Sequence, residues 1–295
     1  WFAYEDHFFQ TAGMPLLEVL NRGDPGYYIL NWVIARSGGS IHHVNLLCAS
    51  VLMVGTVVFC RRQPFSWLAL LVAVPYMLIV VGMGYTRQSV ALGFALLALT
   101  ALGDGRIRTF VLWTAIGATF HKSAILLLPI AALAASTHRV LTAALIGGTA
   151  GLLYYLLMAD STEKLWEAYV VAGYESEGGL IRVLMNAIPA IMVIFFGERI
   201  FPGRQVRRLW MWMAAFALVC VGLVGLASTA VDRVALYLIP IQLAVFSRLP
   251  ATAGTVRSRT LIVVCVIVYY LAVLVVWLNF ATHARYWVPY RMMPL

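Results

Sequence analysis

The stretch "GMGYTRQSVALGFALLAL", Gly82 to Leu99, sets Arg87 between two long apolar runs with few polar residues around it. A charge near hydrocarbon costs free energy unless something compensates it, so such a residue is a functional-site candidate by default. Apolar runs of this kind recur along the chain. Of 295 residues 62% are hydrophobic and 11% charged, and the mean hydropathy is +0.88. A soluble core is less apolar than this, and the composition places the chain among polytopic membrane proteins. A span takes roughly 20 apolar residues, fewer where a helix is kinked or shielded. About ten segments qualify, near 41–60, 65–84, 88–103, 109–120, 124–137, 139–158, 180–197, 209–227, 234–248 and 260–280. The expected fold is all-α: one integral membrane domain over 1–295, a polytopic transmembrane bundle of about 10 to 12 spans. The chain opens at Trp1, so a further upstream segment is also expected.

The net charge of +9 is unevenly placed. One set of loops carries Arg61, Arg62, Arg106, Arg108, Arg139, Arg199, Arg204, Arg207, Arg208, Arg248, Arg257 and Arg259 against Asp104 and Glu198. By the positive-inside rule that face is cytoplasmic. The other face holds both termini and most of the acidic residues. With no basic stripe interleaved with aromatics, nucleic acid is not an expected partner. Cys48, Cys60, Cys220 and Cys265 lie in or beside apolar runs without metal-ligand spacing, so they read as buried core residues, and no metal is expected.

The cytoplasmic loops are short, whereas the outer face holds three long polar segments: residues 1–40, the loop 159–179 and the tail 279–295. Long loops rich in Tyr, Trp and acids are where function concentrates. In the first, Asp24 reads as an N-cap with Pro25 at the first helical position, opening an interfacial helix over Tyr27 to Ala35. Pro75, Pro129, Pro189 and Pro240 fall inside spans and are expected to kink them.

Arg87 sits at the outer start of a helix running inward, with Thr86 as the expected N-cap. A cation there opposes the helix dipole, and a local rule broken without visible gain points to function or to a partner. The arrangement recurs at "FHKSAILLLPI", where His121 and Lys122 begin an inward helix, and at "VDRVALYLIPI", where Asp232 and Arg233 begin another. Three cations at converging helix starts would form an anion site. Simpler readings stand beside this one: Arg87 as a snorkelling residue, Asp232 as a cap or an ion-pair partner, and the outer tyrosines and tryptophans as an aromatic belt.

The segments "DPGYYILNW" (Asp24 to Trp32), "YTRQSVALGFAL" (Tyr85 to Leu96), "FHKSAILLLP" (Phe120 to Pro129), "DRVALYLIP" (Asp232 to Pro240) and "WVPYRMM" (Trp287 to Met293) resemble, in order, those of the EpsG family, within the Wzy-like polysaccharide polymerases. The first motif more often reads Glu-Pro-Gly-Tyr in that family, and Asp24 takes the place of the Glu. The resemblance implies a GT-C-like membrane glycosyltransferase of the bacterial inner membrane, its active site facing the periplasm. It would join oligosaccharide repeat units carried on undecaprenyl diphosphate, as donor and as acceptor, without cofactor or obligatory metal. A chain-length regulator or export machinery would be a further partner, and a flippase for the same lipid-linked sugar or an O-antigen-ligase-like transferase is the alternative.

In that reaction a sugar hydroxyl attacks the donor's anomeric carbon while the lipid diphosphate leaves. Fixed cations stabilise the charge that builds on phosphate, and a neutral His or a carboxylate takes the proton. The expected catalytic residues are therefore His121 as base, with Arg87 and Arg233 on the diphosphate. Lys122, Gln88, Asp24, Tyr27, Asp232 and Tyr237 in the same motifs, together with Arg182, Arg285, Tyr290 and Arg291, are the expected substrate-binding residues. Asp24, Asp6 and Glu5 are rival bases.

Overall fold

The computed structural model describes residues 2–134, 139–157, 178–226 and 228–290, and every regular element among them is a helix. Three helices form the opening segment: α1 (Phe2–Ala12), α2 (Leu16–Leu20) and α3 (Pro25–Arg36). The apolar body follows with α4 (Ile41–Arg61), α5 (Ser66–Ala73), α6 (Thr86–Gly103), α7 (Ile107–Phe120), α8 (Leu128–Ala134) and α9 (Arg139–Leu157). It continues with α10 (Gly179–Ile200), α11 (Arg204–Leu223), α12 (Ser228–Leu236), α13 (Pro240–Phe246) and α14 (Val256–Phe280).

Each of the ten apolar segments meets a helix or a helix pair, yet among the described residues five helices, α4, α6, α10, α11 and α14, are long and apolar enough to cross a membrane unaided. A sixth span forms if α12 and the helical turns from Pro240 to Thr252, bent by 49° against each other, are taken together. The prolines account for much of the difference. Pro75 turns the end of α5 into a π-helix over Val74–Gly82, Pro129 sits at the start of α8 after a 3₁₀ stretch over Lys122–Leu127, and Pro240 opens α13 after the bend. A proline removes one ladder hydrogen bond and clashes with the preceding turn, so the helix must change pitch or stop.

Two glycines bring α4 and α6 into backbone contact. A Cβ on Gly55 would collide with the Gly93 carbonyl, and one on Gly93 would lie 2.7 Å from the Val51 carbonyl. Small residues that let helix backbones touch are the usual way to gain packing energy where the surroundings are as apolar as the side chains. The main core draws on the helices from α4 to α14, while Phe8, Tyr27, Ile41, Val44, Cys48 and Val90 form a smaller cluster that seats α1 and α3 on α4 and α6. Cys48, Cys60 and Cys220 are buried as expected, but Cys265 is exposed, because α14 packs little of its surface against the rest of the bundle.

Candidate functional site

The site grows from the start of α3. Pro25 occupies the first helical position and Asp24 is the N-cap residue, but its carboxylate makes no capping bond. Instead Asp24 Oδ2 accepts a hydrogen bond from Arg87 Nη1 at 2.7 Å, joining positions 63 residues apart. This pairing compensates the Arg87 charge. Gly26 makes it possible: any Cβ there would strike the Thr119 hydroxyl and lie 3.2 Å from the Phe120 ring. The bare backbone lets α3 close onto the last turn of α7, where His121 and Lys122 follow. Lys122 reaches back so that its Nζ lies 4.0 Å from where a Gly23 Cβ would be.

His121 ends α7 in an extended conformation (φ −156°, ψ 113°) that breaks the helix before the 3₁₀ stretch. It is buried, and burial first, then the charges of Arg233, Arg87 and Lys122, pulls its imidazole down to about 3. Asp24 is pushed up by burial, against the pull of Arg87 and Lys122. The surrounding polar atoms are only partly satisfied within the protein. Asp24 Oδ1, Tyr27 OH, Gln88 Nε2, His121 Nδ1 and Tyr237 OH are buried side-chain atoms without a protein hydrogen-bond partner. Such groups are uncommon in folded proteins, and each calls for a ligand, a water or a catalytic role.

A second ion pair lies between α10 and α12. Arg182 donates from Nε to Asp232 Oδ1 and from Nη2 to Oδ2 at 2.5 Å, a fork that uses both carboxylate oxygens. Tyr76, on the π-helix, lies within electrostatic reach of both partners.

Beside this pair opens a cavity of about 2060 Å³, whose polar lining includes Arg182, Arg233, Arg285, Tyr76, Tyr4 and Thr229. Ligand pockets commonly measure ~300–1,000 Å³, so this one has room for a far larger molecule than a single sugar. Its walls come from one end of the spans. Residues 45–49 of α4, 181–188 of α10 and 269–280 of α14 face it, whereas the arginine-rich opposite ends contribute none. Residues 281–290 close over it, held where the Trp287 indole N–H donates to the Ile79 carbonyl at 2.9 Å.

A model of the EpsG family matches residues 1–292. The chain belongs to the EpsG family. No curated protein and no solved structure gives a significant match. Among the described residues of this EpsG chain, no group of three or more His, Cys, Asp or Glu is placed to hold a metal ion.

The expected site residues of the EpsG chain divide between two places. Asp24, Tyr27, Arg87, His121 and Lys122 gather where α3, α6 and α7 meet, and Tyr237 lies within electrostatic reach of Asp24. Gln88 follows Arg87 on α6 and is buried. Arg182, Arg285 and Tyr290 line the cavity instead, and Asp232 is held by Arg182. Arg233 joins the two, lining the cavity while its charge acts on His121. Arg291 and residues 159–177 of the outer loop lie outside the described residues.

Local expectations need three corrections. Tyr85, not Thr86, is the N-cap of α6. Asp232 and Arg233 do not begin a helix, since α12 starts at Ser228 and Arg233 falls in its last turn. Lys122 begins a 3₁₀ stretch rather than an α-helix. Sequence reasoning missed Tyr76, whose neighbour Pro75 marked a break in an apolar run. It also missed His7, whose Nδ1 is buried without a partner and whose imidazole is lowered first by burial and then by Arg87.

Proposed function

We propose that this chain is a polysaccharide polymerase, a metal-independent glycosyltransferase that joins oligosaccharide repeat units carried on undecaprenyl diphosphate. Family membership makes a membrane polymerase role the starting point. The observation that carries the reading is a buried imidazole among Arg87, Lys122 and Arg233, at the same end of the bundle as a cavity large enough for an oligosaccharide. In this reading the Arg-rich loops face the cytoplasm of a bacterial inner membrane and the cavity faces the periplasm. The broken helices complete further spans, giving about ten in a GT-C-like arrangement.

The chemistry follows from the charges. The acceptor hydroxyl attacks the donor's anomeric carbon as its proton passes to the imidazole of His121. The bond from that carbon to the phosphate oxygen breaks, and its electron pair leaves with the lipid diphosphate. Arg87, Arg233 and Lys122 offset the charge that develops there. A His near 3 is neutral at pH 7 but a weak base, and a general base works best with a pKa near the working pH. A bound diphosphate would cancel much of the cationic field and raise His121 towards that range, so the base becomes effective only when the substrate is seated. Arg285 and Tyr290 would hold sugar or the second diphosphate.

A flippase would need cations along a path through the membrane. The confinement of the cavity to one end favours a transferase. The test is reconstitution in nanodiscs with undecaprenyl-diphosphate-linked repeat units, with products resolved by size. A ladder from the wild type that His121→Ala abolishes is the expected result. A folded wild type that binds the lipid-linked sugar but makes no ladder would overturn the polymerase.

A further inference from the structure

A chain of polar side chains crosses the apolar core behind the cavity. The Tyr270 hydroxyl donates to Gln242 Oε1 at 2.7 Å, Gln242 Nε2 donates to Asn186 Oδ1 at 2.6 Å, and Asn186 Nδ2 donates to the Ala235 carbonyl at 2.8 Å. The three side chains are all but inaccessible, at 1%, 2% and 1% exposure for Asn186, Gln242 and Tyr270. None of them lines the cavity. Polar groups at membrane depth are costly unless each finds a partner, and those that persist generally have a task.

Position suggests the task. Asn186 stands four residues after Arg182 on α10, and Ala235 three residues after Asp232 on α12, so both lie one turn along the same helix faces. The same two helices are thus tied twice, first by the ion pair and then by Asn186. The Ala235 carbonyl also accepts the Leu238 N–H at 3.1 Å, where α12 ends before the bend into α13. Gln242 carries the link to α13, and Tyr270 carries it to α14, whose adjacent Tyr269 lines the cavity. The chain therefore runs behind the cavity from the α10 wall to the α14 wall.

We propose that Asn186, Gln242 and Tyr270 are positioning residues, fixing the register of α12 against α10 and thereby the place of Arg233 and Arg182 at the cavity. The structural part of the proposal is independent of the polymerase reading, which supplies only the substrate for its test. Removing the link takes one polar tie from α12, which keeps its ion pair and its apolar packing on α10 and α11, so its short helix opens more readily and the cations meet an anionic head group less well.

The experiment uses Tyr270→Phe, which keeps shape and loses one hydroxyl, and Gln242→Leu, which cuts the chain at its centre. Leu271→Ala, on the exposed side of α14, is the control. Amide hydrogen exchange in nanodiscs should rise at least about fivefold over residues 228–236 in both variants and stay unchanged in α4 and α6. In the polymerisation assay KM for the undecaprenyl-diphosphate-linked unit should rise about five- to tenfold, together with whatever fall in kcat the displaced Arg233 brings. Simple loss of folded enzyme would instead lower kcat at constant KM, and that pattern overturns the proposal. So does unchanged exchange over 228–236 in both variants. If the wild type makes no polymer, the Kd for undecaprenyl diphosphate replaces KM: a weakened Kd supports the positioning role and an unchanged one overturns it.

Discussion

Asp24–Arg87 and Arg182–Asp232 join the same two residue types in opposite ways. The second pair closes on itself: its fork occupies both carboxylate oxygens, and the side chains of Arg182 and Asp232 are 12% and 11% exposed. The first is open. It uses one oxygen of Asp24, leaves Oδ1 without a protein partner, and keeps Arg87 at 32% exposure beside Lys122 and His121. A closed pair holds helices together, and an open one retains capacity for a ligand. The difference teaches that charge at a membrane helix end is not diagnostic by itself; what matters is how many of the partner's bonding sites remain.

The hardest test of the comparison falls on the open side. His121→Ala should lower polymer synthesis about 10²- to 10⁴-fold at unchanged protein levels, the usual worth of a general base; product ladders from purified protein read this directly. Near-normal synthesis would reduce the open site to packing.

Charge exchange comes next. The double variant Arg182→Asp with Asp232→Arg should recover most of the thermal stability lost by Arg182→Ala, a loss of about 3–5 kcal/mol if the remaining aspartate stays charged and buried. Asp24→Arg with Arg87→Asp should fold yet stay inactive, because the cation no longer stands where the proposed diphosphate site needs it. Recovery of activity in the second swap would make the two pairs alike. Melting curves and ladders from the four proteins settle the matter together.

Acidity sharpens the contrast further. His121 binds its proton at about 3 in the folded protein against an ordinary value of 6.5. Between those values the unfolded chain takes up a proton that the folded chain refuses, so stability falls as pH drops through that window. His121, the proposed base, remains unprotonated throughout most of it in the free protein. kcat/KM should therefore be nearly flat from pH 8 down to about pH 5, without the acid limb near 6.5 that an unperturbed histidine would give. The smallest effect expected is from Gly26→Ala, which overpacks the contact with Thr119 and costs about 1–3 kcal/mol, seen as a lower Tm with partial activity.

These contrasts also mark what the sequence made legible. Apolar segments and the cations at "YTRQ" and "FHKS" could be read directly, because hydropathy and helix direction are local properties. The pairing of Arg87 with Asp24 could not, since it depends on Gly26 letting α3 meet α7 across a tertiary contact. The length of α12 was misjudged for a related reason: "STAV" is too polar to stand out as a span, and helix formation there is supported by packing against α10 and α11. Proline positions gave notice of breaks, but not that Pro75 would open a π-helix or bring Tyr76 to the cavity.

The bond from Trp287 to the Ile79 carbonyl spans 208 residues of chain, and it carries a consequence for biosynthesis. Helices α4 to α6 can pair as soon as they leave the insertion machinery, because contacts such as Gly55 with Gly93 are complete before α7 is made. The cavity cannot, since its closing wall comes from residues 281–290. Until the ribosome has delivered residue 287, the nascent protein is a set of inserted helices with an open side. Closing that side is a long-range step of the kind that slows folding, and it waits on every helix from α4 to α14.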